Sequence, residues 1–370
     1  MKILVYPKDV NPYQELLYEK LSQKKNIIFT YLETEFLNSH TLSLILLPYR
    51  LIKYRLKHYN IFHLHWIYPF GFANNSKLFQ NFLTRAFFSI YFMLFLKLVI
   101  LLNFKLIWTV HEVIPIEKEP INGVWARKFL SKLCDAKIVH AKSSIKEMQK
   151  LGINTKNTYI TSHGNYIGVY KNNITKESAR KYLGFNIKDF IFLFFGGIKP
   201  YKGVDDLLEA FKQLIKKRKN VRLLIAGKCN SKDLKKMLNN YKEELKEDVK
   251  IYTEYIKNDK IQYYFNCADA VVYPFKKITT SGSVILALSF GKAIIFPRIG
   301  NLKELPDNLG FFYKPGNKEA LLDCMEKAIL NKEKLKKMEK NSFDYANSLS
   351  WDKIAEKTYE IYKNLESENH

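Results

Sequence analysis

The sequence predicts an α/β protein made of two doubly wound parallel-sheet domains. Short apolar runs alternate with stretches of helical period along the whole chain. The runs are nearly continuous in apolar character, as strands buried on both faces must be. The pattern also restarts halfway, which suits the two domains that 370 residues suggest.

In the first half, Ile3–Tyr6 reads as a short strand. A turn at Asn11-Pro12 and a helix through Leu17 and Leu21 follow. Further strands are expected at Asn26–Leu32, Ile61–Trp66, Leu106–Val110 and Ala136–His140. Ala86–Leu102 is apolar apart from Ser89 and Lys97. It is short for a bilayer span and carries a charge, so it reads as a buried or interface-lying helix. The boundary is expected near Gly164–Glu177, which is polar and rich in Asn and Lys. The second half opens with Phe190–Phe195, then Gly196-Gly197 and a helix at Val204–Leu214. Val221–Ala226, Val249–Thr253, Ala270–Tyr273 and Ala293–Pro297 read as strands, and Lys318–Leu330 and Trp351–Leu365 as helices.

Hydrophobic residues make up 47% of the chain, which excludes a disordered protein. A formal net charge of +24 implies anionic partners: phosphorylated substrates, an acidic membrane surface or nucleic acid. Cys134, Cys229, Cys267 and Cys324 form no C-x-x-C pair, so a disulfide framework and a zinc site are not expected, and a reducing cytosol fits. The N-terminal apolar run ends at Pro7, too soon for a signal peptide.

In open parallel sheets, ligands sit beyond the carboxyl ends of the strands. With two such sheets, the default site is a cleft between them, and the loops after strands become informative. The strongest is Phe195-Gly196-Gly197-Ile198-Lys199-Pro200-Tyr201-Lys202-Gly203, a strand end, a glycine turn with two lysines and a helix start. Glycines let backbone approach a ligand, the lysines attract phosphate oxygens, and helix-start amides donate to them. An ordinary βα turn with surface lysines is the alternative. The second is Ile278-Thr279-Thr280-Ser281-Gly282-Ser283, which opens the apolar helix beginning near Val284. Thr280, Ser281 and Ser283 can cap that helix, and the same amides form an anion site. In the first half, His111 ends the Leu106–Val110 strand on the side facing the expected cleft. His63 and His65 either line the cleft or pack inside. No His/Cys/Asp/Glu cluster has metal-ligand spacing, so no metal is expected.

These segments, in this order, resemble the GT-B glycosyltransferases that use nucleotide-sugar donors, of the large retaining bacterial family (group 1, family 4-like). Phe195–Gly203 is similar to its donor-diphosphate loop, and Ser281–Ile294 to its donor helix. Thr109-Val110-His111 resembles its acceptor-side histidine. Ser162-His163-Gly164-Asn165 resembles its entry to the linker, and Trp351-Asp352 the start of its C-terminal helix. The resemblance implies two Rossmann-like doubly wound domains facing across a cleft. Residues 1–168 would bind the acceptor, 169–348 the nucleotide sugar, and 349–370 would form a helix crossing back to the first domain. The chain departs from the family pattern in three places. Gly197 stands where the family has an arginine, leaving Lys199 as the substitute. The family's paired glutamates fall on Ile278 and Leu286. Its N-terminal glycine-rich loop is absent, with Asn11 and Tyr13 near that position.

The implied activity is metal-independent, retaining transfer of a hexose from a nucleoside-diphosphate sugar, UDP- or GDP-linked, to a hydroxyl of a lipid-linked saccharide in surface polysaccharide assembly (O-antigen, capsule or exopolysaccharide). No cofactor is implied. Lys199, Lys202 and His111 carry the catalytic roles. Gly196, Gly197, Lys199, Lys202, Thr280, Ser281, Gly282 and Ser283 hold the donor, and Asn11, Tyr13, His65 and Glu112 face the acceptor. Arg50, Lys53, Arg55, Lys57 and His58 lie among apolar and tyrosine residues just before the apolar helix. That composition predicts a cytoplasmic protein held peripherally on the anionic inner face of the membrane. A catalytically silent partner subunit on the same fold competes with this reading, because both glutamates are missing. So does a nucleotide-sugar epimerising hydrolase, although the donor loop lacks the carboxylates it needs. A nucleic-acid-binding protein is disfavoured, since no module for it is visible.

Overall fold

The structure, a computed structural model, describes residues 1–9, 11–25, 27–32, 40–67, 70, 82–114, 116, 121 and 123–367. The chain divides into two compact units, Met1–His163 with Trp351–His370, and Gly164–Ser350.

The first unit holds β1 (Lys2–Tyr6), β2 (Ile28–Tyr31), β3 (Ile61–Leu64), β4 (Lys105–Val110), β5 (Ala136–Val139) and β6 (Thr158–Ile160). They form one six-stranded parallel sheet in the order β2-β1-β3-β4-β5-β6. Period-two alternation splits its side chains between two cores. Leu4, Phe62, Leu106 and Trp108 face one way, onto the helices His40–Leu56, Phe82–Leu101 and Gly123–Leu133. Ile3, Val5, Ile61 and Ile107 face the other way, onto the helices Tyr13–Lys25 and Trp351–Ser367. The C-terminal helix belongs to this second core. Trp351, Ile354, Ile361 and Tyr362 are its buried stripe, and a Lys25–Glu356 ion pair at 2.8 Å ties it to the first helix.

The second unit holds β7 (Phe190–Phe195), β8 (Val221–Ala226), β9 (Val249–Tyr252), β10 (Ala270–Val272), β11 (Ile294–Pro297) and β12 (Gly310–Tyr313). Its parallel sheet runs β12-β11-β10-β7-β8-β9. β7 is buried along its whole length, which accounts for its run of phenylalanine, isoleucine and leucine. The helix Val204–Lys217 covers one face through Leu207, Leu208, Phe211 and Leu214.

The order in which strands are added reverses once in each sheet, between β1 and β3 in the first unit and between β7 and β10 in the second. The reversal opens a crevice at the carboxyl ends of the flanking strands, the place where such folds take ligands. Elements absent from the sequence reading include the edge strands β6 and β12. Edge strands are short and pair on one side only, so they lack the continuous apolar signal. The apolar helix starts at Phe82, before the expected Ala86, and one of its faces is exposed while Phe88, Phe92, Phe95, Leu96 and Val99 are buried. His63 and His65 are buried. The expected strand Asn26–Leu32 is shorter, and Asn26 lies outside the described residues.

Candidate functional site

In the second unit, the loops after β7 and β10 flank the switch point. Gly196 prolongs β7, its N–H donating to the Ala226 carbonyl at 2.9 Å. Its φ of +124° lies where a side chain is strained. A Cβ there would sit 2.8 Å from Ser283 Oγ and 3.4 Å from Lys202 Nζ. A hydroxyl from one loop and an ammonium from the other thus converge on bare backbone. Lys202 ends a short 3₁₀ turn, Pro200–Lys202, and its side chain is mostly buried. The Tyr201 carbonyl accepts the Lys276 N–H at 2.8 Å, which stitches the two loops together.

Helix Gly282–Ser289 starts at the same place. Ser281 Oγ accepts the Val284 N–H at 3.3 Å as its cap, and the Tyr273 hydroxyl donates to the Ser283 carbonyl at 2.8 Å. Gly282 and Ser283 are half-exposed, so the helix start is open to an anion. Thr280 Oγ1 accepts from Asn301 Nδ2 at 2.7 Å. Gly197 is half-exposed in the turn. Lys199 is exposed, with Nζ 6.0 Å from the Tyr201 ring centre. Lys276 pairs with Asp205 and Asp206 in the first turn of the next helix.

In the first unit, the carboxyl edge of the sheet carries a row of histidines. His63 lies within β3 and His65 follows it, His111 follows β4, His140 follows β5 and His163 comes after β6. Parallel register brings them side by side. His65 Nδ1 lies 3.1 Å from His111 Nε2, and His140 Nε2 lies 3.4 Å from His111 Nδ1. The Tyr18 hydroxyl lies 2.8 Å from His63 and 2.9 Å from His65. Tyr13 sits among them, its ring centre 5.1 Å from His111, 5.5 Å from His140 and 5.1 Å from His163. His111 is half-exposed and stacks on Trp66 at 4.2 Å with planes 10° apart.

Burial disfavours imidazolium, so it pulls the basicity of these rings below the ordinary histidine value. His63 falls to about 3 by desolvation. His65 and His111 are also lowered, first by desolvation and then by neighbouring histidines. His140 is lowered by desolvation, partly offset by its bond to the Thr161 carbonyl. At neutral pH His63, His65, His111 and His140 are therefore held uncharged. Of the other acceptor-side positions, Asn11 Oδ1 accepts the Tyr13 N–H at 2.9 Å, and the Glu112 carbonyl accepts Arg127 Nε–H at 3.1 Å. The sequence singles out none of Tyr18, Trp66 and His140, and marks His163 only as part of the segment entering the linker. The available signal was a histidine just past the apolar core of each of β3, β4 and β5. Among the described residues, no group of three or more His, Cys, Asp or Glu side chains could hold a metal ion.

Two doubly wound parallel sheets, each with helices on both faces, define a GT-B fold. Residues 175–344, in the second unit, match the family model "Glycosyl transferases group 1". The chain is 25% identical over 239 residues to the lipopolysaccharide 1,2-N-acetylglucosaminetransferase of Salmonella typhimurium, a match spanning 62% of each chain. Among solved structures, sucrose-phosphate synthase from Thermosynechococcus elongatus superposes with a TM-score of 0.78 at 15% identity over 99% of both chains. Anabaena HepE in complex with UDP and glucose superposes with a TM-score of 0.74 at 15% identity, over 98% of this chain and all of that one.

Proposed function

We propose that the protein is a glycosyltransferase that moves a sugar from a nucleoside-diphosphate sugar to a hydroxyl of a lipid-linked saccharide in bacterial surface polysaccharide assembly. One observation carries the reading: Lys202 Nζ and Ser283 Oγ converge on Gly196 at the switch point of the second sheet, beside an open helix start. In this role Lys202, Lys199 and the amides at Ser281–Ser283 meet the charge that grows on the departing diphosphate. These groups are fixed before reaction, so they can lower the barrier by several kcal/mol without reorganising. His111 addresses the acceptor side. The family resemblance favours retained anomeric configuration, with lysines and helix amides in place of a metal. The UDP in HepE and the lipopolysaccharide named for the Salmonella relative support the donor and acceptor classes.

The same reading places the protein on the cytoplasmic face of an anionic membrane. The helix Phe82–Leu101 is long and apolar enough to cross a bilayer. Its outward stripe, Leu83, Phe87, Ile90 and Leu94, is exposed, and so are Ile45, Tyr49, Ile52 and Leu56 on the helix His40–Leu56. Both stripes repeat at helical spacing, and the exposed Lys53, Lys57 and Lys97 flank them. This arrangement suits a surface lying on lipid headgroups.

Melting the full chain with UDP, GDP, ADP and CMP tests the donor half of the proposal. A nucleoside diphosphate at about 100 times its Kd should stabilise by about 2.7 kcal/mol, and Lys202→Ala should abolish the shift. A shift with no nucleotide, or one unchanged in Lys202→Ala, would contradict it.

A further inference from the structure

The histidine row also forms one unbroken chain of side-chain hydrogen bonds. Thr109 Oγ1 lies 2.7 Å from His63 Nε2, and His63 Nδ1 lies 2.8 Å from the Tyr18 hydroxyl. The Tyr18 hydroxyl lies 2.9 Å from His65 Nε2, and His65 Nδ1 lies 3.1 Å from His111 Nε2. His111 Nδ1 faces His140 Nε2 at 3.4 Å, and His140 Nδ1 ends the chain 2.9 Å from the Thr161 carbonyl.

A carbonyl oxygen can only accept, so His140 carries its proton on Nδ1. A neutral imidazole has one N–H, and His140 Nε2 is therefore a lone pair. A second lone pair facing it would repel, so His111 also holds its proton on Nδ1. The argument repeats along the chain. His65 donates from Nδ1 to His111 Nε2, the Tyr18 hydroxyl donates to His65 Nε2, His63 donates from Nδ1 to the Tyr18 oxygen, and Thr109 donates to His63 Nε2. The Tyr362 oxygen, 2.7 Å from His63 Nδ1, is a second acceptor for that N–H. One backbone carbonyl thus sets the tautomer of four histidines.

We propose that His65 and His140 are positioning residues that hold His111 as its Nδ1–H tautomer, so that His111 meets substrate as a hydrogen-bond donor and not as a general base. A base needs an available lone pair, and the one on His111 lies on Nε2 against the His65 N–H. The Nδ1–H, by contrast, is held only by the longest link of the chain, which a substrate oxygen can displace. His111 is half-exposed while His65 and His140 are buried, and Trp66 fixes its ring plane. The tautomer follows from the geometry of the chain with its buried rings neutral, and the role toward substrate rests on the transferase reading.

Two measurements on the full chain separate these parts. Long-range ¹H–¹⁵N correlation at pH 7.5 with ¹⁵N-histidine should show His63, His65, His111 and His140 protonated on Nδ1. An Nε2–H or imidazolium pattern at His111 overturns the proposal. His140→Leu, which cuts the link to the Thr161 carbonyl, should let His111 take up the Nε2–H form, whereas His140→Gln, whose amide oxygen can accept near Nε2, should not. If the leucine variant fails to fold, the wild-type and glutamine spectra still decide. For turnover, His111→Asn places an amide N–H near Nδ1 and His111→Gln places one near Nε2. The asparagine variant should keep about 10-fold more kcat than the glutamine variant, the worth of one retained hydrogen bond. Equal or reversed kcat values overturn the donor role. An Nδ1–H spectrum in a wild-type chain that transfers no sugar would uphold the tautomer chain and reject the transferase reading.

Discussion

A Cβ on Gly203 would fall 2.0 Å from the carbonyl oxygen of Pro274, so the loops after β7 and β10 touch backbone to backbone. Gly203 also sits at φ +71°, in the left-handed region. Gly203→Ala meets both a steric block and an unfavourable conformation, which together should cost about 2–4 kcal/mol. Because Pro274 opens the loop that leads to Ser281 and Ser283, the same change should spread the anion site. Calorimetry should show a lowered Tm, and residual folded protein should bind nucleoside diphosphate more weakly. Wild-type binding in this variant would mean that the two loops do not form one site.

Lys202 and Lys199 occupy unequal positions in their loop. Lys202 is mostly buried with Nζ beside Gly196, whereas Lys199 is exposed over Tyr201. An ammonium held against bare backbone in a partly dry site acts more strongly than one in water. Lys202→Ala should therefore lower kcat by about 10²–10³. Lys199→Ala should lower it by less, about 10-fold, the worth of a solvated charge contact. Steady-state kinetics on the two variants checks the order. Equal losses would place Lys199 on the diphosphate as firmly as Lys202.

The middle of the second sheet was legible because β7 is buried on both faces, so Phe190–Phe195 reads as one apolar run and the glycine–lysine loop follows directly. That loop is local in sequence, and its residues could be read together. The histidine row is the opposite case. His65, His111 and His140 are far apart in the chain, and although His65 and His111 stand out as site candidates, nothing local shows that the three touch. Only the order β3-β4-β5 and its parallel register place them in contact, and that register is a property of the folded sheet. Tyr18 adds a partner from a helix, which no strand pattern announces. The apolar helix Phe82–Leu101 was legible as a helix, but its two-faced burial depends on what packs beneath it.

Acid should destabilise the first unit early. The unfolded chain protonates its histidines near pH 6.5, while His63, His65 and His111 in the fold resist protonation well below that value and His140 is lowered less. Their stabilising contribution is whole above about pH 6.5 and falls as the pH drops toward their folded values, because the unfolded state then binds more protons. Each such histidine adds a slope of about 1.4 kcal/mol per pH unit. Ordinary carboxylates titrate near about pH 4, so the window from 6.5 to 5 isolates the histidines. Melting curves should show Tm falling across that window, less steeply in His63→Gln. A flat Tm between pH 6.5 and 5 would show that the row is hydrated and freely protonated.

Membrane contact, if it has the proposed form, rests on two separable terms. The exposed Phe87 and Leu94 lie on the outward stripe of the helix Phe82–Leu101, and Lys53 and Lys57 are exposed on and just beyond the helix His40–Leu56. Apolar insertion does not depend on salt, whereas attraction of lysine to anionic lipid is screened over about 8 Å at physiological ionic strength. Lysine near such a surface is worth about 1 kcal/mol, so Lys53→Gln with Lys57→Gln should weaken binding to phosphatidylglycerol vesicles by about 30-fold at low salt. Phe87→Glu with Leu94→Glu should weaken it further, and half-molar salt should not restore it. Vesicle flotation measures both. Equal binding to phosphatidylcholine and phosphatidylglycerol vesicles would remove the electrostatic term. Binding unaffected by the glutamate pair would move the contact to another face of the unit.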